Sequence, residues 1–407
     1  MKGVAAIASG AVLSQVIIAI STIFLARLYP PSAYGNYTVI VSLVAAVAPS
    51  VTLKFDAGII IPREQDTARR LFRLSLTSAL IGALLASAVV AFLWWTRTVP
   101  TLTSIPLAPL WVGLMILLSA AFLTLTQGAL RESSYGVVAR RTPIQSLGTT
   151  LSQLILSVVT RSGVGLLLGN VIGSSMGFVP LVKATKDLRV RPQTSTYRAV
   201  AREFRRLPAI MAPSGIIGDL SNQLPTLIVG TWFGSVAVGQ MGMAQRIVSI
   251  PIITIGGAIG QVFAAEFASR FRQGSAGLNR YYLRASAILA GVAGLILIVF
   301  ISLSRQLFPL ILGPNWIVAG QLAQVLCVGS AAAIIGSTVS PVFTILQSRS
   351  WIVVSVIRMV LTLGSAFIAH GIGLSLVATC GAFVVAQAVH YSIVWVVGWR
   401  LTSRPVP

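Results

Sequence analysis

The sequence predicts an all-α membrane protein, with about twelve transmembrane helices in two bundles of six and both termini in the cytoplasm. Composition predicts the class, because 56% of the 407 residues are hydrophobic and only 9% are charged, whereas soluble globular domains carry about 25% charged residues. Apolar stretches of about 20 residues recur from end to end, and a helix of that length crosses a hydrocarbon core of about 30 Å. The bilayer is therefore the predicted solvent.

Short polar segments separate the apolar stretches and define twelve predicted spans. In the first half they lie near residues 4–25, 36–61, 74–95, 107–130, 146–160 and 163–182. In the second half they lie near 207–230, 236–265, 284–303, 318–346, 352–369 and 372–399. The fifth span is short and gives the weakest signal. A proline inside a span removes a backbone hydrogen bond and favours a kink, which applies to Pro49, Pro213, Pro225, Pro251 and Pro341.

The charge distribution orients the predicted spans. The chain has 30 basic and 8 acidic residues, a net charge of +22, which in a soluble protein would indicate nucleic-acid binding. Here, however, the basic residues fall in short segments between apolar stretches. With the N-terminus inside, 23 of them lie on the cytoplasmic side and only Arg27, Arg97, Arg161 and Arg305 lie outside. The positive-inside rule explains this pattern without nucleic acid, and leaves anionic lipid or an anionic substrate as partners.

The longest hydrophilic stretch, residues 183–206, divides the chain near its middle. We predict an N-terminal bundle over 1–182, a basic cytoplasmic linker over 183–206 and a C-terminal bundle over 207–407. The end of the linker, 197–206, fits either a short amphipathic helix on the inner leaflet or a solvated basic loop. Faint self-similarity, such as Tyr34-Gly35 against Val238-Gly239, favours two parallel repeats that open alternately to each side.

Ionisable residues inside the predicted spans are candidates for a binding cavity, because they are expensive in hydrocarbon. Arg246 lies about 15 Å deep in the eighth span, as either a fixed charge for an anionic head group or a structural partner of a carboxylate. Asp219 in the seventh span is followed at i+3 and i+4 by Asn222 and Gln223, which places all three on one helical face. Asp219 is predicted either to couple transport to a proton or to pair with Arg246.

The other embedded polar residues have competing interpretations. Lys54 and Asp56 lie in the second span at i and i+2, so in a continuous helix they would point about 200° apart. Lys54 of the second span and Arg358 of the eleventh span each either line the cavity or extend to the membrane–water interface. The candidate amides are Gln15, Gln240 and Gln245, which either bind sugar or join helices.

The sequence contains no motif for soluble chemistry. It lacks a Walker loop, a GxGxxG run after a strand and an HExxH motif, and it has two histidines and two cysteines without ligand-like neighbours. We predict no metal, no cofactor and no enzymatic activity.

Several short runs resemble a known family. In the first half these are Leu25-Ala-Arg-Leu-Tyr-Pro-Pro-Ser-Ala-Tyr-Gly35 and Lys54-Phe-Asp-Ala-Gly-Ile-Ile-Ile-Pro62; in the second, Leu224-Pro225, Phe233-Gly234, Ala244-Gln-Arg-Ile-Val-Ser-Ile-Pro251 and Gly260-Gln-Val-Phe263. They resemble the polysaccharide transporter family, the Wzx-type lipid-linked oligosaccharide flippases of the MOP (MATE-like) superfamily. Lys54, Asp56 and Tyr34 depart from that family's usual Arg, Glu and Phe.

The resemblance implies a cargo and a location. The cargo would be an undecaprenyl-diphosphate-linked oligosaccharide, moved across the bacterial inner membrane for O-antigen, capsule or exopolysaccharide assembly, together with polysaccharide polymerase or assembly proteins. Two alternatives stay open: a MATE-type cation-coupled multidrug exporter, which should line its cavity with carboxylates, and a membrane-embedded polysaccharide-assembly enzyme, which should present a catalytic cluster in a sizeable loop. The glycan, the coupling ion and the oligomeric state are left open.

Overall fold

The computed structural model describes residues 2–190, 197–273, 277–346 and 350–403, with the backbone alone at 2–8, 272, 344 and 351–352. Within these ranges the chain is helical and has no β-strand. Nine helical segments of the described chain are long and apolar enough to cross a membrane. The predicted all-α membrane class is therefore confirmed. Of the basic residues assigned to the inner side, Arg191, Arg349 and Arg404 lie outside the described residues, as do the side chains of Lys2 and Arg272.

The chain forms two compact units, Met1–Gly239 and Gln240–Pro407. The first unit contains α1 (Lys2–Leu28), α2 (Pro31–Val47), α3 (Phe55–Gly58), α4 (Gln65–Trp95), α5 (Pro100–Thr103), α6 (Ala108–Arg131), α7 (Tyr135–Val159), α8 (Gly163–Met176), α9 (Phe178–Ala184) and α10 (Tyr197–Glu203). α11 (Ala212–Pro251) carries the boundary between the units. The second unit continues with α12 (Gly257–Arg272), α13 (Leu278–Leu312), α14 (Ile317–Val339), α15 (Pro341–Ile345), α16 (Ser350–Gly371) and α17 (Leu376–Thr402).

Most observed helices fall where spans are predicted, apart from the second span described below, and the number twelve stays a prediction. One apolar segment, Leu207–Phe271, covers two predicted spans, and Gly234 interrupts its helix with φ 80°. α2 and α7 do not number among the nine candidates. α7 begins eleven residues before the predicted fifth span, because Arg140, Arg141 and Pro143 are helical rather than part of a loop. The predicted halves rest on charge pattern, and they too stay a prediction.

The basic segment after α9 packs onto the first unit. Leu188 and Val200 are buried in a cluster with Phe72 of α4 and Leu207. Arg69 Nε donates to the carbonyl oxygen of Asp187 at 2.8 Å. A short helix forms at α10 in place of a solvated loop, and its apolar side chain Val200 contacts protein. Its position on the inner leaflet stays a prediction.

A close helix crossing joins α2 to the part of α11 that follows Gly234. A Cβ added at Gly35 would clash with the carbonyl oxygen of Ser235, and one added at Gly239 would clash with that of Pro31. Gly35 thus lies against Ser235, four residues before Gly239. Gly239 lies against Pro31, four residues before Gly35. The contact is therefore reciprocal, and Gly35 and Gly239 also occupy matching positions in the predicted sequence repeat, which itself stays a prediction.

The second unit is built around α14, which packs against α13 and α17. Phe263 and Phe267 of α12 are buried beside Tyr282 of α13. The Tyr282 hydroxyl donates to the carbonyl oxygen of Trp395 on α17 at 2.9 Å, which fixes α13 to α17.

Candidate functional site

The second predicted span is broken in its inner half. α2 ends at Val47, and turns lead through Pro49 to α3 at Phe55. Leu53 and Lys54 have φ values of 52° and 59°, a left-handed backbone that costs about 1–3 kcal/mol for a residue with a side chain. The predicted continuous helix over 36–61 is therefore wrong. Pro49 follows the last turn of α2 and has no backbone N–H to continue the helix.

The break directs Lys54 toward α11. A Cβ added at Gly215 would lie 2.7 Å from the Ser50 hydroxyl oxygen, 3.1 Å from Lys54 Cε and 3.5 Å from Lys54 Nζ. Asp219 follows Gly215 by one helical turn and so shares the face over which Lys54 runs. No salt bridge joins Lys54 to Asp219 in the described part of the chain. The structure thus places a cation and a carboxylate near each other without direct contact.

Asp56 is not part of this pair. Its side chain is 3% exposed and accepts a hydrogen bond from the hydroxyl of Thr52. The prediction that Lys54 and Asp56 cannot share a face rested on a continuous helix, and that premise is wrong. The two side chains nevertheless have separate surroundings, Lys54 against α11 and Asp56 against its own turn.

The broken segment is held from α6. Arg131, the last residue of that helix, donates to the carbonyl oxygens of Ile59 at 2.9 Å and Pro62 at 2.7 Å. These carbonyls belong to a chain that has left the regular helix, and Arg131 supplies the donors that a continuing helix would otherwise provide.

Three further polar candidates lie in the first unit. Asn222 is exposed, while Gln223 on α11 and Gln15 on α1 are half-buried. Asn222 and Gln223 share the helical face of Asp219, as the spacing predicts. Their role in binding stays a prediction.

In the second unit, Gln240 serves helix packing. Its amide nitrogen donates to the carbonyl oxygen of Asn315 at 2.6 Å, and its amide oxygen accepts from the backbone N–H of Ala319 at 2.8 Å. The first turn of α14 has backbone N–H groups without helical partners, and Gln240 satisfies one of them. Both polar atoms of the Gln240 amide thus bond to protein, which favours its helix-joining role over sugar binding.

The other cations of the second unit are Arg246 and Arg358. Arg246 is half-buried on α11, next to the half-buried Gln245. The Arg358 guanidinium on α16 lies 5.6 Å from the centre of the Tyr391 ring, a cation–π contact. Tyr391 in turn packs against Gly336 of α14. Whether these cations face a cavity stays a prediction.

Charge is distributed unequally between the units. Asp56 and Asp219 both belong to the first unit, whereas from Gln240 onward the sequence has a single acidic residue, Glu266. Glu266 pairs with Arg270 at 2.7 Å, and both side chains are exposed. The embedded charges of the second unit are therefore positive.

Sequence reasoning missed three parts of the first cluster: Ser50, Gly215 and the left-handed backbone at Lys54. Only Gly215 left a usable signal, since it precedes Asp219 by four residues and so marks a helix face with room for a neighbour. The left-handed backbone at Lys54 is uncommon for a residue with a side chain, and no pattern in the sequence predicts it.

Comparison with known proteins agrees with this architecture. A family model described as "Polysaccharide biosynthesis protein" matches residues 24–321, almost three quarters of the chain. The teichuronic acid biosynthesis protein TuaB of Bacillus subtilis (strain 168) is 24% identical over 127 residues, 31% of this chain and 26% of TuaB. The match thus spans about a quarter of that curated relative.

Two solved structures show the fold. The lipid II flippase MurJ in an inward closed conformation has a TM-score of 0.70 at 11% identity, covering 94% of this chain and 84% of MurJ. An inward-facing MATE family multidrug resistance transporter of the MOP superfamily has a TM-score of 0.60 at 14% identity, covering 98% and 94%. The predicted MOP-like fold is confirmed. With the family model matching most of its length, the chain belongs to the polysaccharide biosynthesis protein family.

Proposed function

We propose that this protein is a flippase that moves a polyprenyl-diphosphate-linked oligosaccharide from the cytoplasmic to the outer leaflet by alternating access. The family supports a role in polysaccharide assembly, and the fold is one that MurJ and MATE transporters also have. The excess of embedded cations carries the proposal: Lys54, Arg246 and Arg358 stand against Asp56 and Asp219.

The chemistry of such a lipid fits this charge. Its sugar and diphosphate are too polar to cross hydrocarbon unaided, and a diphosphate favours Lys and Arg side chains. A buried cation in a membrane points toward protein or a watery cavity. Moving about two negative charges outward down an inside-negative potential of about 100 mV would release about 4–5 kcal/mol.

A cation exporter is less compatible with the charges. Its cavity should offer carboxylates. However, Asp56 is hydrogen-bonded to Thr52, and Asp219 interacts electrostatically with Lys54. The likeness to the MATE transporter is at 14% identity and concerns the fold alone.

Reconstitution tests the proposed function. The purified protein would be placed in liposomes with a fluorescent polyprenyl-diphosphate glycan, and a membrane-impermeant lectin would report how much sugar reaches the opposite face. We expect protein-dependent transfer of the glycan. Transfer of an organic cation in place of the glycan would support the exporter instead.

Replacing Arg246 tests the proposed charge within the membrane. We expect Arg246→Ala to reduce glycan transfer by at least about tenfold while the protein still inserts, because loss of a charge-assisted contact costs about 1.5–3 kcal/mol. Arg246→Lys should retain part of the activity. Arg305→Ala, at an exposed residue of α13, is the matched control and should transfer normally. Normal transfer by Arg246→Ala would remove Arg246 from the binding site.

A further inference from the structure

Asp219 lies in the first unit one helical turn after Gly215, over which the side chain of Lys54 runs. Asp56, the other charge on the Lys54 segment, is instead buried against Thr52. Between Ala212 and Gly239, α11 carries no further charged residue. Lys54 is therefore the charge that the geometry places to stabilise an ionised Asp219.

Lys54 is restricted to this neighbourhood. Its backbone is left-handed at φ 59°, and its side chain runs beside Ser50 and over Gly215. The Ser50 hydroxyl oxygen is buried and has no hydrogen-bond partner among the described residues. The cluster thus has an unused hydroxyl beside the ammonium of Lys54.

We propose that an anionic phosphate group and the carboxylate of Asp219 compete for the ammonium of Lys54, so that binding the anion makes Asp219 take up a proton. The identification of this anion as the diphosphate of a glycan lipid rests on the proposed function. The proton comes from water and returns to it when the anion leaves and Lys54 again faces the carboxylate. Ser50 is placed to donate a hydrogen bond to the bound phosphate.

The physical basis is linkage between two ligands. A carboxylate that loses its neighbouring cation inside a membrane and gains a neighbouring anion is stabilised by protonation. By reciprocity, a protonated Asp219 leaves Lys54 available and strengthens anion binding by the same factor. The anion and the proton therefore bind together, and affinity for the anion falls as pH rises through the titration of Asp219.

Calorimetry tests this coupling directly. The full-length protein in lipid nanodiscs would be titrated with sugar-free polyprenyl diphosphate in buffers of different ionisation enthalpy, which reports protons taken up per anion bound. For the wild-type protein we expect uptake of up to about one proton. Asp219→Asn should abolish this uptake and bind the probe about tenfold more tightly, because a repelling charge is gone. Subtracting the proton uptake measured with Asp219→Asn also removes the contribution from protonation of the probe itself.

Matched variants separate the roles. Lys54→Gln should weaken binding, whereas Asp56→Asn should preserve both affinity and proton uptake, since an amide can still accept from Thr52. A neutral polyprenol should cause no proton uptake by the wild-type protein, a comparison that needs no variant. Weaker binding by Asp219→Asn, or undiminished proton uptake, would overturn the coupling. The glycan-transfer assay is read separately, so transfer without proton uptake refutes this inference alone, and absent transfer refutes the flippase proposal alone.

Discussion

Gly215 governs the approach of Lys54 to α11. A methyl group there would meet the Ser50 hydroxyl at 2.7 Å and Lys54 Cε at 3.1 Å, distances at which a neighbour must move. Gly215 thus matters because it has no side chain, and a hydropathy pattern does not reveal this role.

We therefore expect Gly215→Ala to displace Lys54 and slow glycan transfer several-fold. Gly218→Ala is the matched control, because its Cβ would meet nothing within 4 Å and should leave transfer unchanged. Both variants gain about 1 kcal/mol of helix propensity, so a difference between them reports the contact with Lys54. Transfer rates in liposomes measure it, and equal rates would show that Lys54 has room to move.

At the scale of elements, the crossing of α2 with α11 depends on two glycines. Ala at Gly35 or Gly239 would clash with backbone atoms, which cannot rotate away as a side chain can. We expect Gly35→Ala to destabilise the protein by about 2 kcal/mol, seen as a lower unfolding temperature in detergent. Gly294→Ala in α13, where nothing lies within 4 Å, should not. Equal unfolding temperatures of the two variants would mean that α2 and α11 can move apart without a loss of folding free energy.

The basic segment after α9 makes a second prediction about elements. Leu188 is fully buried and Val190 is half-exposed, so Leu188→Ala should lose about 3 kcal/mol of packing and Val190→Ala very little. The segment contains many arginines, and its release should speed tryptic cleavage there. We expect faster cleavage for Leu188→Ala only. Similar digestion of both variants would contradict docking through Leu188.

The contrast between sequence and structure is clearest in these elements. Apolar length located the helices, such as the start of α8 at Gly163, which is also the predicted start of the sixth span. Length and charge could not show that α7 begins at Tyr135, because Arg141 looks like a loop residue. In the structure its guanidinium lies 4.6 Å from the centre of the Phe122 ring on α6. Such tertiary contacts reverse local expectations.

For the whole molecule, orientation is the property that the charges predict most directly. A cysteine introduced by Thr98→Cys should react with a membrane-impermeant maleimide in intact cells. One introduced by Ser133→Cys should react only after permeabilisation. The native Cys327 and Cys380 are buried, and the unmodified protein serves as the control for their reaction. The opposite labelling pattern would show that the orientation is inverted, with both termini outside.

The break between α2 and α3 also bears on how the chain enters the membrane during synthesis. With 17 residues, α2 is about 25 Å long and falls short of the hydrocarbon thickness, while the turns after it expose backbone groups that lipid cannot satisfy. Farther along the broken segment, the carbonyl oxygens of Ile59 and Pro62 accept hydrogen bonds from Arg131, which is translated about seventy residues later than Ile59. The early helices would then have to wait at the insertion machinery for α6, and integrate with it as a group rather than one at a time.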